Sequence, residues 1–299
     1  MFKGSIVALM TPFRDGKVDR KAFQDLVEWQ IQQGTHGLVP CGTTGESPTL
    51  SHEEHKLVVE LCVEATRKRV PVIAGTGSNS TAEAIDFARH AKKAGADGQL
   101  VVTPYYNKPT QEGMYRHYKA LHDAVDLPII IYNIPPRSVI DMSVETMARL
   151  AQLPGIVGVK DATMNLERPL ATKLAIGKKF WILSGEDGTA LPLLVQGGDG
   201  CISVTANIAP KLCSDMHVAW QKGDLKTAMA INEKLYPLHK ALFCETSPGP
   251  LKYAASLMGL CTAELRLPMC EIADSSKRTV EAALAKLALI DGRKAAAAQ

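Results

Sequence analysis

The sequence predicts an α/β protein of the (β/α)8, or TIM-barrel, class with a small helical region at its C-terminal end. Three observations carry this. Short apolar runs alternate with helix-period stretches eight times within roughly 220 residues, the spacing of successive βα units. The runs are apolar throughout rather than alternating, as in Ile129-Ile130-Ile131-Tyr132 and Ile156-Val157-Gly158-Val159, which reads as parallel strands covered on both faces. The first βα turn, Leu9-Met10-Thr11-Pro12, lacks the glycine-rich loop expected of a doubly wound nucleotide-binding sheet.

Taken in order, strands are expected at 6–10, 37–40, 72–74, 99–103, 129–132, 156–160, 181–184 and 201–204. Helical periodicity begins near Asp19, Ser51, Ser80, Thr110, Ser143, Leu166, Asp187 and Ala209. Ser51-x-x-Glu54 and Ser80-x-x-Glu83 match the capping-box pattern, in which the hydroxyl and the carboxylate satisfy each other's backbone N–H groups. Gly34, Gly95 and Gly177 stand where helices should stop. From residue 224 the β-rich runs cease, and 228–243, 250–258 and 276–289 read as helices. The expected organisation is therefore a barrel over 1–223, a helical region over 224–290, and a low-complexity segment over 291–299 that reads as a disordered tail or cloning remnant.

Composition narrows the function. The chain has 299 residues, 46% of them hydrophobic, enough for one large core. A net charge of +3 is too small to argue for nucleic acid or a membrane surface. No apolar run reaches transmembrane length, and the N-terminus lacks a signal-peptide layout. The seven cysteines are odd in number and show no CxxC pair, which suits reduced thiols in a cytoplasmic protein.

In a barrel the C-terminal ends of all eight strands open on one mouth. Lys160 ends the sixth predicted strand. Desolvation there favours the neutral amine, which is a nucleophile. Alone, the same lysine reads more readily as a strand-end side chain snorkelling to solvent. Its company argues for chemistry. The other strand ends contribute Cys41-Gly42-Thr43-Thr44-Gly45-Glu46, Thr103-Pro104-Tyr105-Tyr106-Asn107, Tyr132-Asn133-Ile134-Pro135-Pro136-Arg137, Ser184-Gly185-Glu186-Asp187 and Ile202-Ser203-Val204-Thr205. A lysine, phenols, hydroxyls and an arginine on one rim suit Schiff-base chemistry on an oxo acid: the amine adds to a ketone, a phenol moves protons, and hydroxyls and amides hold a carboxylate. No His/Asp/Glu cluster has metal-ligand spacing, so no metal or other cofactor is expected.

The motifs Gly42-Thr43-Thr44-Gly45-Glu46-Ser47, Tyr105-Tyr106-Asn107, Tyr132-Asn133-Ile134-Pro135-x-Arg137, Gly158-Val159-Lys160 and Ile202-Ser203-Val204-Thr205-Ala206-Asn207 together resemble the dihydrodipicolinate synthase family of Schiff-base class I aldolases. The resemblance runs over roughly residues 1–290. It implies that Lys160 forms an imine with pyruvate, that Tyr132 passes protons, and that Thr44 links Tyr132 to Tyr106 reaching in from a neighbouring subunit. It further implies that Arg137 binds the carboxylate of L-aspartate 4-semialdehyde and that Thr43, Gly185 and Ile202 hold pyruvate or line its pocket. A homotetramer built as a dimer of tight dimers is also implied. Ser47, His52, His55, Asn79, Glu83 and Tyr105 match the positions that line an L-lysine feedback site in inhibited members.

Two other readings compete. A related pyruvate lyase, such as N-acetylneuraminate lyase or a keto-deoxy-sugar aldolase, shares the imine chemistry, but Arg137 offers a bidentate carboxylate clamp where a polyhydroxy aldehyde would need neutral groups. A non-catalytic sensor on the same scaffold would have no need of Lys160 and Tyr132.

Overall fold

The computed structural model describes residues 2–290; the tail expected at 291–299 lies outside them. Eight parallel strands form the central sheet: β1 Gly4–Ala8, β2 Gly37–Val39, β3 Ile73–Gly75, β4 Gly98–Val102, β5 Ile129–Asn133, β6 Ile156–Asp161, β7 Trp181–Ser184 and β8 Gly200–Ser203. Strands β3 to β8 pair in sequence order, β8 pairs with β1, and β1 pairs with β2. The ring closes between β2 and β3. Leu38 bridges Val72 there, and the Gly75 amide donates to the Pro40 carbonyl at 2.9 Å. All eight predicted strands are present, shifted by at most two residues. A short antiparallel ribbon, Phe13–Arg14 against Lys17–Val18, was not predicted, because two-residue strands carry no periodic signal.

The barrel helices are α1 Arg20–Gln32, α2 His52–Thr66, α3 Thr81–Ala94, α4 Gln111–Ala124, α5 Val144–Leu150, α6 Arg168–Ile176, α7 Ala190–Val195 and α8 Pro210–Gln221. Side chains of Asp19, Ser51, Ser80, Thr110 and Ser143 accept backbone N–H groups at the starts of α1 to α5. Each such cap is worth about 1 kcal/mol. Ser51 and Glu54 form the expected reciprocal box. At α3 only half of the expected box forms. Ser80 accepts from the Glu83 amide, while the Glu83 carboxylate accepts from the Ser78 hydroxyl and contacts His52 at 2.8 Å.

Side chains alternate between the two faces of the barrel wall. Ile6, Ile73, Leu100, Ile130, Tyr132, Leu183 and Ile202 pack together inside. The intervening Ile129, Ile131, Val159 and Ile182 pack outward against the helices. Residues beyond 224 form α9 Leu225–Ala241, α10 Gly249–Leu257 and α11 Asp274–Lys286. Leu235, Leu238, Leu251, Ala254 and Val280 from these helices join the same apolar cluster as Val7, Leu9 and Phe13 from the start of the chain.

Gly75 is where β3 meets the turn that follows β2. A Cβ there would lie 2.2 Å from the Cys41 carbonyl oxygen, a backbone atom that cannot swing aside. Gly75→Ala should lower stability by about 1–3 kcal/mol through overpacking, read as a lower urea midpoint at constant m-value. An unchanged midpoint would mean that the Cys41 turn yields freely.

Candidate active site

Tyr132 and Lys160 are register partners on β5 and β6. Both are inward-facing and only 5% exposed, and the lysine Nζ stands 4.1 Å from the centroid of the tyrosine ring. The next register pair, Asn133 and Asp161, faces outward by the strand pleat. Asp161 accepts from the Thr163 amide at 2.9 Å and hydroxyl at 2.6 Å and from Arg168 Nε at 3.1 Å. Asn133 donates to Asp141 at 2.7 Å and accepts from the Met142 amide at 3.0 Å. Arg168 also donates to the Met142 carbonyl at 2.8 Å. The two strand ends that carry Lys160 and Tyr132 are thus tied together from outside. Gly185 continues this packing: its amide donates to the Asp161 carbonyl at 2.7 Å, and a Cβ would lie 2.6 Å from that of Ala162. Ile202 is fully buried in the same interior cluster.

The turn after β2 begins with Cys41 in the left-handed region, φ 57°. The Gly45 amide donates to the Gly42 carbonyl and the Glu46 amide to the Thr43 carbonyl, both at 3.1 Å, while the Thr11 hydroxyl donates to the Gly45 carbonyl at 2.7 Å. Thr44 is buried in this turn. Thr43 lines a cavity of 490 Å³ together with Tyr132, Ile134 and Arg137. Arg137 rides on a single helical turn, Pro135–Ser138, and donates to the Ser247 carbonyl at 3.3 Å.

Ser47, His52, Glu83 and Tyr105 line the same cavity. Around them the His55 ring stacks on Phe87 at 3.9 Å, and burial pushes the His55 imidazole down to about 4, so it is neutral near pH 7. Burial, with the Glu83 charge nearby, raises the Tyr105 phenol above its usual range. Asn79 is adjacent; its carbonyl accepts from Asn107 at 2.8 Å.

Within one chain the structure therefore sets Lys160 against Tyr132, brings Tyr132, Thr43 and Arg137 to one cavity with Ser47, His52, Glu83 and Tyr105 on its flank, and packs Gly185 and Ile202 behind the strand ends. Tyr106 is not brought to Tyr132 or Thr44. It is 88% exposed on a left-handed turn, φ 72°. Two groups at the mouth had no assigned role from sequence. Glu186 has its carboxyl raised by burial and by the neighbouring Asp187 charge, against the opposing pull of Lys160 and Arg137. Asp187 faces away and accepts from the Val204 amide at 2.9 Å and the Thr205 amide at 3.1 Å. Their place just past β7 was the only signal available. Among the described residues no cluster of His, Cys, Asp or Glu is placed to hold a metal ion, and no helix is long and apolar enough to cross a membrane.

An eight-stranded barrel with a buried lysine at the end of its sixth strand defines a class of α/β-barrel enzymes. More particularly, the chain belongs to the dihydrodipicolinate synthetase family, whose family model matches residues 1–287. It is 67% identical over 290 residues to the 4-hydroxy-tetrahydrodipicolinate synthase of Rhodospirillum centenum, covering 97% of this chain and 100% of that one. The chloride-inhibited dihydrodipicolinate synthase of Acinetobacter baumannii, solved in complex with pyruvate, superposes with a TM-score of 0.95 at 48% identity, covering 97% and 100% of the two chains. The enzyme of Cyanidioschyzon merolae, solved with lysine bound, superposes at 0.94 and 37% identity, covering 97% and 99%.

The buried imidazoles make stability pH-dependent. His55, His117 and His217 are each pushed from 6.5 down to about 4, chiefly by burial. Between those values the unfolded chain binds protons that the fold refuses, so their contribution is complete above about 6.5 and lost progressively as pH falls toward about 4. The melting temperature should fall steadily from pH 7 to pH 5. A flat profile would show that these rings take up protons inside the folded protein.

Proposed function

We propose that the protein condenses pyruvate with L-aspartate 4-semialdehyde to give 4-hydroxy-tetrahydrodipicolinate, the first committed step toward diaminopimelate and lysine. The observation that carries the assignment of roles is the buried Lys160 amine held against the ring of Tyr132, which lines one cavity with Thr43 and Arg137. The amine adds to C2 of pyruvate and expels water, forming an imine. Loss of a C3 proton gives an enamine, which attacks the aldehyde carbon of the second substrate. Ring closure by the substrate's own amine releases Lys160.

Tyr132 moves protons, a role supported by its ring lying against the lysine amine. Thr44, buried in the adjacent turn, continues the relay toward Tyr106. The exposure of Tyr106 suits a side chain that completes the relay of a neighbouring subunit. Thr43, Gly185 and Ile202 hold pyruvate or line its pocket, and Arg137 takes the carboxylate of the aldehyde. A homotetramer is supported by this exposed tyrosine and by a separate apolar groove of 450 Å³ lined by residues that include Leu166, Val195, Trp220, Leu225 and Met229. The seven cysteines, all free, suit a cytoplasmic enzyme.

We further propose that L-lysine binds the flank of the cavity. Glu83 pairs with its α-ammonium, Asn79 and Tyr105 take its carboxylate, and the neutral His55, with Ser47 and His52 beside it, meets the side-chain amine. Because Glu83 is turned toward His52 and Ser78 rather than closing a helix cap, its carboxylate is directed into this region.

Borohydride reduction in the presence of pyruvate should add a covalent mass at Lys160 in the wild-type protein and none in Lys160→Ala. Lys160→Arg should fail equally, since a guanidinium stays protonated. Undiminished trapping at another lysine would sink the assignment. Titration of lysine into the protein should release or absorb heat and should inhibit only partially with respect to pyruvate. Neither heat nor inhibition at millimolar lysine would remove the feedback site.

A further inference from the structure

The helical region carries a fully buried lysine. Lys252, on α10, is 0% exposed. Its Nζ lies 2.5 Å from Glu46 Oε1, donates to the Glu264 carbonyl at 2.8 Å, and stands 3.9 Å from the centroid of the Phe13 ring. Burial lowers the pKa of this amine, and the Glu46 carboxylate opposes the shift.

Glu46 is the last residue of the turn that presents Thr43 and Thr44. It is buried and left-handed, φ 53°, a conformation costly for a residue with a Cβ unless its surroundings hold it. The second carboxylate oxygen accepts from the Arg266 amide at 3.1 Å. Arg266 is itself fixed, with two 2.6 Å bonds to Glu54 and a 2.8 Å bond to the Thr49 carbonyl. The Glu46 amide meanwhile donates to the Thr43 carbonyl. Glu46 thus joins the two regions, its backbone bonded to Thr43 and its side chain to Lys252 and Arg266.

An apolar pair of the same volume would often stabilise such a site as well as an ion pair, because it escapes the desolvation cost of two charges. What the ion pair adds is direction: it fixes where the carboxylate lies, and with it the end of the turn.

We propose that Lys252 and Glu46 are a positioning pair for the reaction, clamping the 41–46 turn so that Thr43 and Thr44 face the Lys160 amine at the correct distance. The inference rests on the reading of Thr43 as a pyruvate ligand and extends the site into the C-terminal helices.

The test uses the full-length protein and the variants Glu46→Gln, Lys252→Met and Glu46→Gln/Lys252→Met. Tyr253→Phe is the stability control: it breaks a hydrogen bond to Glu281 from the same helix but away from the turn. The double variant leaves no buried charge unpaired and covers the case in which Lys252→Met alone fails to fold. Melting temperature, steady-state kinetics and borohydride trapping against pyruvate concentration are measured on each. Misplacement of a binding group on the order of 1 Å costs up to about 10²-fold, so half-saturating pyruvate should rise about tenfold or more in the folded Lys252 variants. Tyr253→Phe should lower the melting temperature without moving half-saturation. Wild-type trapping with unchanged half-saturation in every folded variant overturns the clamp alone. A wild-type protein that traps no pyruvate overturns the Lys160 reading and the clamp with it.

Discussion

The pleat of β5 and β6 is the constraint on which the mouth of the barrel depends. Tyr132 and Lys160 are paired across the two strands, and so are Asn133 and Asp161. Successive side chains point to opposite faces, so turning the first pair inward turns the second outward. A one-residue slip would exchange them and drive Lys160 in among the helices. The outward pair resists that slip. Asp161 is 6% exposed and held by Thr163 and Arg168; moving it would leave a buried carboxylate unpaired, which costs more than the bonds themselves contribute. The inner geometry is thus guaranteed by polar bonds on the other side of the wall.

The second constraint is close approach of backbone. Gly75 admits the Cys41 turn, and Gly185 admits the end of β6, each where a Cβ would overlap a neighbour. These contacts draw the strand ends into a mouth tight enough for side chains from different strands to share one cavity. The C-terminal helices add to the wall. The Ser247 carbonyl accepts from Arg137, and Lys252 meets Glu46. The helical region after 224 is therefore in direct polar contact with two of the loops that line the cavity.

Much of this was legible in the sequence, for a physical reason. A strand buried on both faces must be apolar throughout, and a helix beside it must be apolar on one stripe, so eight alternations appear as composition. Residues just past those strands must lie at the mouth, which is why Lys160, Tyr132, Thr43 and Arg137 could be expected there. Partners far apart in the chain were not legible. Nothing local in Gly249-Pro250-Leu251-Lys252 says that this lysine meets Glu46 across 206 residues of chain. Glu83 misled in the opposite sense: its spacing from Ser80 reads as a complete cap, yet its carboxylate is engaged by Ser78 and His52, the latter on another helix. Tyr106 lies beyond both kinds of reasoning, because among the described residues its exposed ring has no hydrogen bond that would assign it a role.

The two sets of residues around the cavity share a wall. His55, on α2, stacks on Phe87 at the flank, and its backbone carbonyl accepts from the Cys41 thiol at 3.4 Å. Cys41 opens the turn that presents Thr43, and Glu54, one residue before His55, holds Arg266 and through it the far end of the same turn. Helix α2 is therefore linked to the Thr43–Thr44 turn at both ends, directly at Cys41 and through Arg266 at Glu46. A ligand on the flank acts on the mouth only to the extent that it binds one arrangement of this wall better than another, and the mouth acts back on the flank by the same free energy. The turn has glycines at Gly42 and Gly45 and is held at Cys41 and Glu46, so any coupling between flank and mouth would run through these two contacts to the threonines between them.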